Sequence, residues 1–240
     1  MARYVFSDLH GQLTLWHAIK NFVKPEDKLY CLGDCGDRGP QPWETIKEVI
    51  NDPQVVYLKG NHEDMLVAAM AEYLDHPTAR KFHQKYRAHS FQQLLAQNGG
   101  SGTLQGWIDE GADYTWIQRL DNLPTLITLD TGKLKLALCH AGYSPMADDE
   151  IPDDFELLWD RGHLTNPWIP GTDDNLIIIH GHTPCPYLAK KWTPEHGAII
   201  YADGHKIDID VGSVWTNMAC LLDLDTFNEH YFAYDPNEQG

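Results

Sequence analysis

The sequence predicts an α/β fold whose strands deliver chemically active residues to one edge of a parallel sheet. Three observations carry that expectation. Residues 3–58 alternate short apolar runs with helix-spaced segments, a βαβαβ pattern that implies parallel strands joined by right-handed crossovers. Five short motifs rich in Asp, Asn and His each follow an apolar, strand-like run. In open α/β sheets ligands bind at the carboxyl ends of the strands, so motifs far apart in the chain converge there.

The elements follow in order. Residues 3–7 (RYVFS) read as a buried strand, with Asp8 opening the loop after it. Residues 12–23 have helical spacing, with Leu15, Trp16, Ile19, Phe22 and Val23 on one face, and Pro25 closes that helix. Residues 28–32 form a second strand ending at Gly33-Asp34, residues 43–50 a helix, and residues 54–58 a third strand ending at Gly60-Asn61. Residues 63–122 read mostly as helices, broken at Asn98-Gly99-Gly100-Ser101-Gly102. No Pro/Ser-rich linker flanks them, so they are expected to be a helical insertion packed beside the site, within a single domain spanning 1–240. Strands resume at 134–139, 175–180, 198–202 and 206–210, and residues 213–234 suit hairpin strands.

Bulk properties narrow the class. The chain has 240 residues, enough for one large domain, and its 42% hydrophobic content suits a packed core rather than disorder. A formal net charge of -17 argues against a general nucleic-acid binder, which carries a basic face. It leaves anionic substrates open, because metal ions and a few arginines reverse the local field. The five cysteines are odd in number and form no CxxC pair, which argues against a disulfide framework. The amino terminus has no secretory apolar region, and no stretch approaches the length of a membrane span. A cytoplasmic protein is expected.

The motifs carry the chemistry. Asp8 and His10 lie two apart, so on an extended segment both face one side. In Gly33-Asp34-Cys35-Gly36-Asp37-Arg38-Gly39 the glycines allow tight turns. Asp34 can bridge two metals with its two oxygens, Asp37 can orient a histidine, and Arg38 offers a planar fork for phosphate oxygens. Gly60-Asn61-His62-Glu63 supplies an amide oxygen and a neighbouring imidazole with a different task. His62 is then free to act as a general acid held by Asp37. His140 and His182 complete the set, while His180, two before His182, is expected to be structural. Three Asp, one Asn and four His are enough ligands for two metal ions, and a pair of ions is a known device for displacement at phosphorus.

Taken together, Asp8-x-His10, Gly33-Asp34-x-x-Asp37-Arg38-Gly39, Gly60-Asn61-His62-Glu63, His140 and Gly181-His182 resemble the calcineurin-like metallophosphoesterases. The closer resemblance is to the bacterial and phage branch of the phosphoprotein phosphatases. Asn98-Gly99-Gly100, Trp159-Asp160-Arg161 and the run Ile207–Gly212 are similar to that branch as well. The resemblance implies a β-sandwich flanked by helices. It implies two divalent ions, manganese first, with iron, zinc or magnesium as alternatives. Asp8 and His10 would hold one ion, Asp34 would bridge, and Asn61, His140 and His182 would hold the second. Arg38 and Arg161 would grip the phosphate with Asn61 close to it. A hydroxide between the metals would attack phosphorus while His62, paired with Asp37, protonates the leaving oxygen.

Two departures stand out. Lys59 occupies a place where many members carry Arg. The loop typical of the eukaryotic enzymes is absent, so no eukaryotic-type regulatory subunit is implied. The leading expectation is dephosphorylation of phosphoserine and phosphothreonine proteins or a small phosphoester. The rival is hydrolysis of diadenosine tetraphosphate or another dinucleoside polyphosphate, which calls for an aromatic or basic pocket. Trp107, Trp116, Arg80, Arg87 and Arg119 of the insertion are the candidates for it. A third possibility is a binding scaffold that has lost catalysis, although every expected position is filled.

Overall fold

The computed structural model describes residues 1–145, 152–166, 168, 173–190 and 197–234. The chain opens with β1 (Arg3–Phe6), α1 (Leu13–Phe22), β2 (Lys28–Cys31), α2 (Pro42–Asn51) and β3 (Val55–Tyr57). A helical region follows: α3 (Asn61–Tyr73), α4 (Ala79–Lys85), α5 (Phe91–Gln97), α6 (Ser101–Asp109) and α7 (Thr115–Asp121). Next come β4 (Leu126–Asp130), β5 (Lys135–Cys139), α8 (Asp154–Trp159) and β6 (Leu176–His180). The last elements are α9 (Cys185–Leu188), β7 (Ile199–Tyr201), β8 (Lys206–Asp208), α10 (Ser213–Thr216), β9 (Met218–Asp223) and β10 (Glu229–Ala233).

The strands form two sheets, ordered β10-β9-β1-β2-β3 and β4-β5-β6-β8-β7. The expected parallel run is present, with Val5 opposite Tyr30 and Tyr30 opposite Val56. It is extended by antiparallel β9, and the second sheet carries antiparallel β4 and β7 at its edges, so neither sheet is purely parallel. Side chains that alternate along the strands explain the layers. Val5 and Tyr30 of the first sheet, with Leu58 just after β3, meet Leu136, Leu138, Ile179 and Ile207 of the second in one shared core. Phe6 and Cys31 point the other way, into a core with α1, α2 and the helical region. Ala137 and Cys139 face a third cluster under α8.

Of the expected face, helix α1 buries Leu15, Trp16 and Ile19, and it buries Leu13 as well. Phe22 is half exposed and packs on the rings of His230 and Phe232. The sequence reading places no strand at 126–130, yet β4 pairs there with β5, Thr128 opposite Ala137. The final segment holds the expected hairpin, β9 with β10, preceded by the short helix α10. Among the described residues no helix is long and apolar enough to cross a membrane.

This architecture brings the motifs together. β1, β2 and β3 are parallel in one sheet and β5 and β6 are parallel in the other. Asp8, Asp34, Asn61, His140 and His182 each follow the carboxyl end of one of these strands by one to four residues.

Candidate metal centre

The loops that carry the site are locally unusual. Asp8, His10, Asp34, Asp37, Arg38 and His182 all adopt positive φ, between 44° and 70°. Such conformations are uncommon for residues with a Cβ and persist where the surroundings over-determine them. Backbone bonds lock the first two loops together: His10 N–H donates to Asp34 O at 2.9 Å and Gly11 N–H to Cys35 O at 2.7 Å. At Gly181 a Cβ would lie 2.1 Å from Asp8 Oδ2, so only glycine lets the fifth motif approach the first.

Glu63 holds the second motif. It stands at the third position of α3, where a carboxylate can cap the helix start. Its oxygens accept from Asp34 N (2.8 Å), Cys35 N (3.1 Å), Gly60 N (2.9 Å) and the Tyr57 hydroxyl (2.8 Å). The sequence reading quotes Glu63 without giving it a task; the Gly-x-x-Glu spacing before an apolar run was the available signal.

Four donor atoms converge on one side. Asn61 Oδ1 lies 2.8 Å from His140 Nε2 and 2.9 Å from His182 Nδ1, and those two nitrogens are 3.1 Å apart. Asp34 Oδ2 is 3.4 Å from His140 Nε2. Neighbouring ligands of an octahedral ion at about 2.1 Å stand about 3 Å apart, so this set has the spacing of one coordination shell. His140 Nδ1 donates to Leu32 O at 2.9 Å, which leaves the Nε2 lone pair pointing into the cluster. Burial works against charge on His140, but the Asp34, Asp8 and Glu63 carboxylates outweigh it and raise its pKa to about 9. The field at this point therefore favours a positive charge.

The second side is looser. His10 Nδ1 donates to Gly36 O at 3.0 Å, turning Nε2 inward. That nitrogen stands 3.9 Å from Asp8 Oδ1 and 3.8 Å from Asp34 Oδ2. Asp8 Oδ1 is buried without a hydrogen-bond partner among the described residues, while Asp8 Oδ2 accepts from His182 N at 3.0 Å. An orphaned carboxylate oxygen of this kind suits a cation. Asp34 serves both sides through Oδ2, because its Oδ1 accepts from His62 N at 3.0 Å. One oxygen, not two, faces the pair of clusters. The residues present thus fit two divalent ions.

Around this centre stand the groups expected to act on substrate. His62 Nδ1 is 2.5 Å from Asp37 Oδ2. Burial lowers the His62 pKa, but the charges of Asp34 and Asp37 and the Asp37 hydrogen bond prevail and raise it. Arg38 donates to His10 Nε2 and, at 2.8 Å, to His62 Nε2. Arg161 lines the same pocket as Arg38 and His182. Asp160 caps the turn after it, accepting from Gly162 N (2.8 Å) and His163 N (3.1 Å).

The helical region supplies positions the sequence reading did not assign. Thr103 of α6 is fully buried; its Oγ1 accepts from Asp37 N at 2.9 Å and donates to Asp37 Oδ1. Gly99 O accepts from Arg38 N at 2.9 Å, and a Cβ at Gly99, whose φ is +89°, would press on Arg38 Cγ at 2.8 Å. The Asn98–Gly102 break is therefore where the helices meet the Asp37-Arg38 turn.

His180 turns away, with Nε2 2.7 Å from the Tyr201 hydroxyl and Nδ1 3.0 Å from Gly181 O. Lys59 is buried, donates to Asp121 O at 2.8 Å and lies 3.8 Å from Asp64. It ties α3 to α7. Trp107 is core, Trp116 packs on Trp43, and Arg119 donates to Ile50 O. Arg80 and Arg87 are exposed. The aromatic rings that share the pocket of Arg38 and Arg161 are instead Tyr187 and Trp215.

The chain is similar to several known proteins. The family model described as calcineurin-like phosphoesterase matches residues 1–211. Serine/threonine-protein phosphatase 2 of Escherichia coli K12 is 25% identical over 176 residues, covering 65% of this chain and 66% of that protein. The asymmetrical bis(5'-nucleosyl)-tetraphosphatase PrpE of Anoxybacillus flavithermus is 28% identical over 180 residues, covering 65% and 64%. The matched region is thus just under two thirds of each relative's own length. A protein serine/threonine phosphatase structure from Saccharomyces cerevisiae has a TM-score of 0.62 at 13% identity, covering all of this chain and 82% of that one, a likeness of fold.

Proposed function

Because the chain belongs to the calcineurin-like phosphoesterase family, whose members depend on two metal ions, we propose that it hydrolyses a phosphoester at the centre formed by Asp8, His10, Asp34, Asn61, His140 and His182. The proposal includes its organisation as one domain, with the helical region serving the site through Thr103 and Gly99. Two divalent ions held by these six residues would activate water and neutralise charge on the phosphoryl group.

The chain's own groups do the rest. Arg38 and Arg161 bind the phosphoryl oxygens and stabilise charge that develops on them. A bound phosphate draws Arg38 off His62, freeing Nε2 to carry a proton. Asp37 fixes the imidazole through Nδ1, so that Nε2 delivers its proton to the departing oxygen. The observation that carries this reading is the 2.5 Å His62–Asp37 pair set against the shared Asp34 carboxylate. Phosphoserine and phosphothreonine proteins and dinucleoside polyphosphates are both served by this machinery. The second presents an anhydride rather than an ester, so the His62 proton matters chiefly for the first, while the aromatic rings beside the arginines suit the second.

His62→Asn tests it. A variant that retains two manganese ions per chain by elemental analysis should lose roughly 10²–10⁴ on an alkyl phosphate such as phosphoserine. It should lose much less on p-nitrophenyl phosphate, whose leaving group needs no proton. Equal losses on both substrates would remove His62 from the leaving-group role.

A further inference from the structure

We propose that Trp215 and Tyr187 form a stacking subsite for the nucleobase of a nucleotide substrate, beside the phosphate grip of Arg38 and Arg161. The inference rests on the phosphoester-hydrolase reading above and names the substrate class that this site takes. A pocket of about 260 Å³ is lined by these four residues together with Pro184 and His182. A serine or threonine side chain fills little of that space.

Trp215 is 53% exposed and Tyr187 62% exposed. Large aromatic faces held at the rim of a charged site are what a base needs, since every base offers a π face. The wall is also held firmly. Trp215 sits on α10, bracketed by Gly212 at φ 72° and Asn217 at φ 55°. Ser213 Oγ donates to Asp8 O and Leu9 O, and Thr216 Oγ1 donates to Val211 O and Gly212 O, both at 3.0 Å. Tyr187 lies on α9, five residues after His182, and Cys185 N–H donates to Asp210 O at 2.7 Å. Both aromatic carriers are thereby tied to ligand-bearing loops.

The placement separates a nucleobase from a phosphotyrosine ring. Arg38 spends its terminal nitrogens on His10 and His62, and its Cζ lies 5.9 Å from the Trp215 ring centre. Trp215 is thus reached from His62 through Arg38. A ring bonded directly to the ester oxygen lies nearer His62 than a base does. A base, set off from the phosphoryl group by ribose, extends past Arg38 to the wall. Arginine over an indole face also continues the stack with a cation–π contact.

Calorimetry on the manganese-loaded full chain tests this, comparing AMP with ribose 5-phosphate, which differ only in the base. AMP should bind tighter by roughly tenfold or more. Trp215→Ala should remove most of that preference, Trp215→Phe should keep most of it, and Tyr187→Ala should reduce it in part. Equal affinities in the wild type would overturn the subsite. A preference that survives both alanine variants would place the base elsewhere and overturn it too. A tenfold gain for phosphotyrosine over phosphoserine that depends on Trp215, without one for AMP, would give the wall to an aryl ester instead. Turnover of p-nitrophenyl phosphate, measured separately, keeps the parent reading distinct: an enzyme active on it but indifferent to the base loses only this inference.

Discussion

The two sides of the centre are built differently. Around Asn61, His140 and His182 the donor atoms stand 2.8–3.1 Å apart, brought there by strand ends of both sheets. Around Asp8 and His10 the separations are 3.8–3.9 Å, and Arg38 donates into His10. A cation on that side competes with a guanidinium for the same lone pair. The difference shows a division of labour: the sandwich sets the ligand spacing on the tight side. The helical region, through Thr103 and Gly99, holds Asp37 and Arg38 beside the looser side.

Asp34 belongs to both sides, so changing it should have the largest effect. Asp34→Asn keeps the shape and removes the one negative charge that Oδ2 presents to both clusters. Metal content should fall at both positions, and activity should drop beyond the roughly 10²–10³ typical of losing one transition-state donor. His180→Ala, only two residues from His182 but turned onto Tyr201, should lose far less. If His180→Ala proved more damaging in folded protein, the assignment at the fifth motif would be wrong.

Next in size are the arginines. Arg161→Ala should cost about 10²–10³ in kcat with metals retained. Lys59→Ala should show the opposite profile, a loss of about 1–3 kcal/mol in stability from the abandoned Asp121 carbonyl with turnover nearly kept. A thermal melt beside a kcat measurement separates the two. An Arg161→Ala enzyme with unchanged kcat would move the anion grip elsewhere.

The tight side was legible in the sequence because its residues follow strands whose apolar runs are unmistakable. Position after a strand end fixes where they go. The looser side was legible as residue types but not as geometry. Positive φ at Asp8, His10 and Arg38 comes from long-range backbone bonds between loops, and no glycine marks those positions. Thr103 was hidden because a buried threonine inside a helix looks like any other. Trp215 was hidden because α10 is a single turn within a stretch that otherwise reads as strand. The more conspicuous Trp107 and Trp116 of the insertion are packing residues. Strand β4 escapes the sequence reading although Ile127-Thr128-Leu129-Asp130 alternates, because the run is short and none of it is fully buried.

The smallest expected effect probes the hidden link. Thr103→Val conserves shape and removes the hydroxyl that both accepts from Asp37 N and donates to Asp37 Oδ1. Leaving a buried N–H unsatisfied costs about 1–3 kcal/mol, which a denaturation midpoint will report. If Thr103 acts by positioning the pair of Asp37 and His62, the activity loss should repeat that of His62→Asn in weaker form. It should be greater on phosphoserine than on p-nitrophenyl phosphate, and Thr103→Ser should restore it. A stability loss with equal effects on both substrates would make Thr103 a packing residue only. The helical region would then reach the chemistry through Gly99 and Arg38 alone.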